Sequence, residues 1–365
     1  MENKKIIFLT SGLTPYRELF FEKLAEKVKI KVLCEIVKSK EREWDIQRKN
    51  LPNLEIEVMK PLITRTQCAF CPSIINHLRN EHGNIIVGGY STPTGILAIL
   101  WMRIHKRPFW LNADGGIIYP ENFLKTKIKK FLISSANGWL SSGKKTTEYF
   151  KYYGATENRI KEYPFSSVEE KDIIQNILSL DEKKKIRHKL QMKEKFVVLS
   201  VGQFIYRKGF DVLLKTEAIR NPEIGVYIVG GRITPEYFRI CEEYHLDNVH
   251  FVDFKQKNEI IDYYDAADVF VLPTREDIWG LVVNEAMSRG IPVITTYNCI
   301  AGLEMVKSGY NGQLVHVDNI PELSDAICHL IYNKLYRKKC SINALKTIKN
   351  YTIERMVESH LEVLT

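Results

Sequence analysis

No stretch of this 365-residue chain is apolar for long enough to cross a bilayer. The longest apolar run, Gly95 to Met102, falls far short of the roughly 20 residues a spanning helix needs. Cysteine is scarce: seven residues, an odd number, thinly spread and without a secretory leader ahead of them. That pattern points to a reducing compartment rather than a disulfide framework, so a cytoplasmic location is expected. The chain has no Walker loop, no G-x-S-x-G elbow and no HExxH among its nine histidines. Gly88-Gly89 and Gly230-Gly231 each follow a strand-like run without completing a G-x-G-x-x-G, which argues against nicotinamide binding. Cys68-Ala69-Phe70-Cys71 is a lone CxxC with no second ligand pair and reads as two thiols rather than a zinc site. No carboxylate cluster suggests a metal, and low-complexity segments and short repeats are missing.

What is present is ordinary globular composition, 45% apolar and 27% charged, in a chain long enough for two domains. The charge is unevenly divided. Residues 1–165 carry 27 Lys and Arg against 16 Asp and Glu, whereas the other 200 carry 26 against 28. A basic amino-terminal half suits an anionic partner: nucleic acid, lipid headgroups or phosphate esters. Without an aromatic-basic RNA signature, nucleic acid ranks low.

Short apolar strands alternate with helical patterns throughout, which predicts parallel, doubly wound sheets. In the first half the strands are Lys5–Thr10, Ile30–Val37, Leu54–Met59, Ile85–Val87, Phe109–Asn112 and Gly138–Ser141. After Tyr163–Ser167 the pattern restarts with a lysine-rich amphipathic helix expected over about 169–190. Strands follow at Phe196–Val201, Val226–Val229, His250–Val252, Val269–Leu272 and Pro292–Thr295, with helices such as Gly209–Ile219 and Leu281–Arg289 between them. The expected division is 1–167, 168–348, and a terminal helix from 349 to 365.

The densest chemistry lies in the second half. Gly202-Gln203-Phe204-Ile205-Tyr206-Arg207-Lys208-Gly209 leaves a strand and opens a helix, so backbone amides, a helix N-terminus and two cations converge where a diphosphate could sit. An exposed basic turn would look the same. Asp277 follows the strand Val269–Leu272, and Glu285 lies eight positions later on the helix opened by Gly280. Two carboxylates there suit hydroxyls of a sugar and a ribose. They equally suit an acidic helix start beside an exposed glutamate.

The pairing of GQFIYRKG (202–209) with REDIWGLVVNEAMSRGIPVI (275–294) resembles the retaining family 4 glycosyltransferases of the GT-B fold, the glycosyl transferases group 1. Residues 264–273 (YDAADVFVLP), similar to a strand of that family, and 308–315 (SGYNGQLV), similar to one of its loops, extend the resemblance over about Phe196 to Leu364. It implies two Rossmann-like domains facing across a cleft, with the last helix crossing back onto the first. It also implies transfer from a nucleotide-diphosphate sugar, most often a UDP-sugar, to a hydroxyl of a glycan or polyprenyl-linked acceptor in surface polysaccharide assembly. The configuration would be retained and no cofactor or metal required.

Residue by residue, the resemblance implies that Lys208 holds the diphosphate with the backbone around Gly280, Leu281 and Val282. Glu285 binds the ribose, and Asp277 binds the transferred sugar, standing where the family has Glu. Gln203 replaces the usual Arg, and Arg207 is positioned to supply that charge. In the first half, Gly12 would let the diphosphate approach, while Tyr16 and Arg17 would meet the acceptor. Asp114 stands where many relatives carry a histidine at the sugar; it is the catalytic candidate there, beside the alternative of an Asx-turn before Gly115-Gly116. Residues 121–134 (ENFLKTKIKKFLIS) alternate lysine with bulky apolar residues. Such a helix either packs one face into a core or lies on an anionic membrane as a peripheral anchor. A fold-retaining partner subunit without activity is the rival reading, motivated by the Glu-to-Asp and Arg-to-Gln departures.

Overall fold

The computed structural model describes residues 5–36, 51–64 and 69–364. The chain divides into two units, one comprising Met1–Ser166 with Ile353–Thr365, the other Ser167–Thr352. Each is built on a parallel sheet flanked by helices, the α/β architecture expected from the strand-helix alternation.

Among the described residues, the strands of the first unit are β1 (Ile6–Gly12), β2 (Ile30–Ile36), β3 (Leu54–Val58), the small antiparallel pair β4 (Ile63–Thr64) and β5 (Ala69–Phe70), β6 (Asn84–Val87), β7 (Trp110–Ala113), β8 (Gly138–Ser141) and β9 (Ile160–Glu162). The main sheet runs β3-β2-β1-β6-β7-β8-β9. Its helices are α1 (Pro15–Ala25), α2 (Ile74–Asn80), α3 (Pro93–Ile104), α4 (Phe123–Ile133) and α5 (Lys144–Tyr152). Central strands are apolar on both faces because helices cover both: Phe8 faces Val32 and Ile86 in register, and all three are buried. Local chemistry sets the helix starts. Pro93 opens α3 behind Thr92, whose hydroxyl accepts the Gly95 amide at 3.0 Å.

The second unit holds β10 (Phe196–Val201), β11 (Ile224–Val229), β12 (Val249–Val252), β13 (Val269–Leu272), β14 (Val293–Thr296) and β15 (Gly312–Val315), in the order β12-β11-β10-β13-β14-β15. Its helices are α6 (Leu180–Lys189), α7 (Phe210–Leu214), α8 (Pro235–Glu243), α9 (Lys257–Ala266), α10 (Leu281–Ser288), α11 (Ile300–Met305), α12 (Ile320–Tyr332) and α13 (Lys334–Ile348). The winding reverses between β10 and β13, so the loops leaving those two strands open a crevice at the carboxyl edge of the sheet.

Three sequence expectations are corrected. The helix expected from about 169 to 190 is only α6, because Ser179 and Glu182 form a capping box that starts it late. Ahead of it stands a short 3-10 turn, Glu170–Asp172, and the Ile174 amide is tied to the Ser288 carbonyl at 3.1 Å. The helix expected over Gly209–Ile219 ends at Leu214, where the Thr216 hydroxyl takes the Leu213 carbonyl at 2.8 Å. The 308–315 segment, read as a loop, closes with edge strand β15, paired in parallel with β14.

The last helix, α14 (Ile353–Leu364), belongs to the first unit and packs on α1. Its anchor is His360, wholly buried between Phe20 and Tyr163 with ring centroids 4.7 and 4.6 Å away. His360 Nδ1 lies 2.7 Å from the Met356 carbonyl, which only accepts, so Nδ1 carries a proton, and burial favours the neutral ring. Burial lowers its pKa from 6.5 to about 4. The neutral ring therefore contributes stability that is complete above pH 6.5 and is lost as pH falls toward 4. Wild-type chain and His360→Leu should accordingly converge in denaturant stability on acidification from pH 7 to 4, by about 3 kcal/mol. A pH-independent gap between the two would contradict the assignment.

Candidate active site

The loops after β10 and β13 are zipped into one structure. The Arg207 carbonyl accepts both the Thr274 hydroxyl and the Arg275 amide at 2.8 Å. Gly209 sits at φ +67, where any side chain would meet the Pro273 carbonyl oxygen at 2.1 Å. Arg275 in turn grips Asp211 through two bonds of 2.8 and 2.7 Å and lies over the Tyr206 ring at 3.9 Å. The outcome is a rigid 3-10 turn, Tyr206–Lys208, that aims Lys208 at the neighbouring loop.

Lys208 Nζ is 2.6 Å from Asp277 Oδ2, both side chains almost wholly inaccessible, while Arg207 stands 3.7 Å from Oδ1 and donates to the Glu276 carbonyl at 2.7 Å. Asp277 is held from behind: its amide donates to the Asn298 carbonyl at 2.9 Å and its carbonyl accepts from Ile300 at 3.2 Å. Two residues on, Trp279 is buried with its indole N–H on Asn284 at 3.0 Å. Gly280 then turns at φ +98 into α10, packed so tightly that a side chain would meet Cys299 Sγ at 2.8 Å. First-turn amides of a helix have no intrahelical acceptor, so the start of α10 offers donors a few residues beyond the carboxylate that Lys208 and Arg207 reach. Donors and cations so placed suit an anion.

Glu285 lies on the second turn of α10. The Tyr264 hydroxyl donates to its Oε2 at 2.8 Å and the Ser167 hydroxyl to Oε1 at 3.2 Å. Burial raises its pKa above the usual carboxylate range, with both hydrogen bonds opposing the rise.

A second polar cluster occupies the carboxyl edge of the first unit's sheet. Asp114, just after β7, receives Arg17 Nη2 at 2.5 Å and the Tyr16 hydroxyl at 3.2 Å on Oδ2. The Tyr163 hydroxyl reaches its Oδ1 at 2.9 Å and is itself fixed by the Asn112 amide at 2.8 Å. Arg17 is buried against the Phe8 ring, 5.6 Å from its centroid. Burial, reinforced by the Asp114 charge, raises the Tyr16 phenol to about 12, so it stays a donor. Among the described residues, no three His, Cys, Asp or Glu side chains converge in a way that could hold a metal ion.

The family model described as glycosyl transferases group 1 matches residues 181–347, which covers most of the second unit. The carboxy-terminal unit belongs to that family. An uncharacterized glycosyltransferase of Haemophilus influenzae is 30% identical over 185 residues, 49% of this chain; the matched stretch spans about half of that protein, 51%. The N,N'-diacetylbacillosaminyl-diphospho-undecaprenol alpha-1,3-N-acetylgalactosaminyltransferase of Campylobacter jejuni is 22% identical over 281 residues, 75% of this chain and 74% of its own. The crystal structure of Anabaena Alr3699/HepE in complex with UDP and glucose superposes with a TM-score of 0.77 over 99% of both chains, at 18% identity. That likeness is one of fold: the two-domain α/β GT-B architecture.

In the group 1 unit, the structure brings Arg207, Lys208, Asp277, Gly280, Leu281 and Val282 together, with Glu285 a turn further along α10. Gln203 is exposed just after β10. In the other unit, Gly12 ends β1 with open space beside it, a side chain there making only a 3.6 Å contact with the Ile36 carbonyl. Tyr16, Arg17 and Asp114 form one cluster. Arg17, expected as an acceptor contact, is buried and paired with Asp114. Sequence reading missed Tyr163, Asn112, His360, Tyr264 and Ser167. Tyr163 reaches Asp114 from 49 residues away and His360 packs on Tyr163 from the last helix, whereas Asn112 stands two residues before Asp114 and Tyr264 lay in a quoted motif.

The Lys208–Asp277 pair is a buried ion pair, so removing one partner strands the other's charge. Lys208→Ala is expected to cost about 3 kcal/mol of unfolding free energy, and Lys208→Ala with Asp277→Ala less than the sum of the singles. Urea denaturation of the four proteins measures the coupling; additive losses would show that the two groups do not hold one another.

Proposed function

We propose that the chain is a retaining glycosyltransferase that moves a sugar from a nucleotide diphosphate, UDP foremost, to a hydroxyl of a glycan or lipid-linked glycan in surface polysaccharide assembly. The observation that carries this reading is that Lys208 and Arg207 both reach Asp277, three residues ahead of the glycine that opens α10, with Glu285 on the second turn of that helix. The chemistry of sugar transfer puts developing negative charge on the leaving diphosphate, and preorganised cations and amides stabilise it there. Lys208 and Arg207 would supply that charge without a metal. Lys208 would exchange Asp277 for the diphosphate, freeing the Asp277 carboxylate for hydroxyls of the transferred sugar, while Glu285 takes the ribose. The Campylobacter relative, named for transfer to an undecaprenol-linked sugar, supports the acceptor class, and the UDP and glucose in the Anabaena structure support the donor class.

In the first unit, Asp114 would accept a hydrogen bond from a sugar hydroxyl. With Arg17, Tyr16 and Tyr163 already on its oxygens, it must release one of them before it can take a proton, so positioning is its stronger role.

Peripheral membrane contact forms part of the same proposal. Of the two readings of the 121–134 helix, packing against a core accounts only for Leu132 and Ile133. Phe123, Leu124, Ile128 and Phe131 are exposed, the first two 74% and 68%, and Ile104 stands 76% exposed on α3. Lysines border them, with Lys127 over the Phe123 ring at 4.3 Å and Arg103 over Phe131 at 4.3 Å. Apolar side chains ringed by cations suit an anionic bilayer surface, which would deliver lipid-linked acceptors. Among the described residues no helix is long and apolar enough to cross a membrane.

Two measurements test the reading. Single-turnover transfer from a labelled UDP-sugar to a polyprenyl-diphosphate-linked sugar should fall by about 100-fold or more in Lys208→Ala. A wild type with no transfer from UDP-, GDP- or ADP-sugars would favour the inactive partner subunit instead. Co-sedimentation with vesicles rich in anionic lipid should drop at least about tenfold when Phe123, Leu124 and Ile128 are all changed to Ser. Equal binding by the two proteins would remove the membrane role.

A further inference from the structure

We propose that Tyr264 is a positioning residue for Glu285 and that Ser167 is a resident competitor, holding the carboxylate oxygen that a ribose must take. The inference rests on the reading of Glu285 as the ribose ligand and goes beyond it by dividing the two oxygens between two hydroxyls of opposite effect.

Tyr264 is buried, and its ring packs on Phe270 with centroids 5.8 Å apart. Its neighbour Asp265 clamps Arg289, four residues beyond Glu285 and just past the end of α10, through bonds of 2.6 and 2.7 Å. The end of α9 and the end of α10 are thus tied together beside the Tyr264–Glu285 contact. A buried phenol with one short, 2.8 Å bond to Oε2 has lost its rotamer freedom before any ligand arrives. It therefore holds the carboxylate plane at no further entropic cost to binding.

Ser167 differs in each respect. It is only half-buried, its bond to Oε1 is long at 3.2 Å, and it is the first residue of this unit. The segment that follows it is pinned to the same two helices. Lys257 binds Asp172 at 2.6 Å, and Arg289 donates to the Asp172 carbonyl at 3.1 Å. An incoming diol donates to Oε1, the oxygen with the longer bond and the half-buried partner, and so displaces the Ser167 hydroxyl while Tyr264 keeps Oε2 in place.

The titratable and charged groups around Glu285 are Tyr264 from α9, Lys257 from the start of α9 and Asp172 from the segment after Ser167. Burial and Asp172 oppose the ionised carboxylate, while Tyr264, the Ser167 hydroxyl and Lys257 favour it. Ribose hydroxyls donate to the ionised form, so nucleotide binding weakens as pH falls through the raised pKa of Glu285. Loss of the Tyr264 hydroxyl raises that pKa further and moves the acid limb to higher pH.

The test is calorimetric titration of the full chain with UDP, GDP or ADP, whichever binds tightest, and separately with pyrophosphate, between pH 5 and 8. Tyr264→Phe should weaken the nucleotide about tenfold, leave pyrophosphate within about twofold, and shift the acid limb of nucleotide binding upward. Ser167→Ala should tighten the nucleotide by about two- to fivefold. Equal loss of nucleotide and pyrophosphate in Tyr264→Phe, or an unmoved acid limb, would overturn the positioning role. Unchanged or weakened nucleotide binding in Ser167→Ala would overturn the competition. Glu285→Gln separates the levels: if it too leaves nucleotide affinity intact, the ribose reading itself fails.

Discussion

The candidate donor site depends on one constraint, the closure of the loop after β10 onto the loop after β13. Gly209 lies against the Pro273 carbonyl, the Arg207 carbonyl takes two donors from Thr274 and Arg275, and Lys208 reaches Asp277 at 2.6 Å. Strand order makes this contact possible, because β10 and β13 are neighbours at the point where the winding reverses. Everything proposed for the diphosphate follows from that adjacency. Lysine and carboxylate neutralise one another in the free chain, and an anionic ligand offers the lysine a stronger partner.

The first unit solves a different electrostatic problem. Its cluster places a guanidinium, two phenols and a carboxylate at the edge of an apolar core, beside a neutral imidazole from the last helix. Arg17 Nη1 and His360 Nε2 are buried there without a hydrogen-bond partner among the described residues, as is Asn112 Oδ1. Such groups are costly when unpaired, so the cluster trades stability for a carboxylate held in one orientation. The neutral His360 keeps a second positive charge away from Arg17.

The fold was largely legible in the sequence. Apolar strands such as Phe196–Val201 and Val269–Leu272 sit where period and punctuation place them, and the motif residues from Gly202 to Glu285 gather at one crevice. Local hydrogen bonding was harder to read. Ser179 and Glu182 start a helix that pattern alone would begin ten residues earlier, and Thr216 ends another. Partners distant in sequence were invisible. Asp114 is seen as a lone aspartate before two glycines, and nothing nearby announces Arg17, 97 positions earlier, or Tyr163, 49 later. Exposure was equally hidden: the lysine-rich helix 123–133 has the periodicity of a core-packing helix, yet it leaves Phe123 and Leu124 in solvent. Periodicity reports which side chains share a face, not what covers it.

The most direct test of the account is a crystal structure of the chain grown with a nucleoside diphosphate. The β-phosphate should lie within about 3 Å of Lys208 Nζ and of the amides opening α10, with Lys208 withdrawn from Asp277 and the ribose on Glu285. A diphosphate bound elsewhere, or one that leaves the Lys208–Asp277 pair closed, would contradict it.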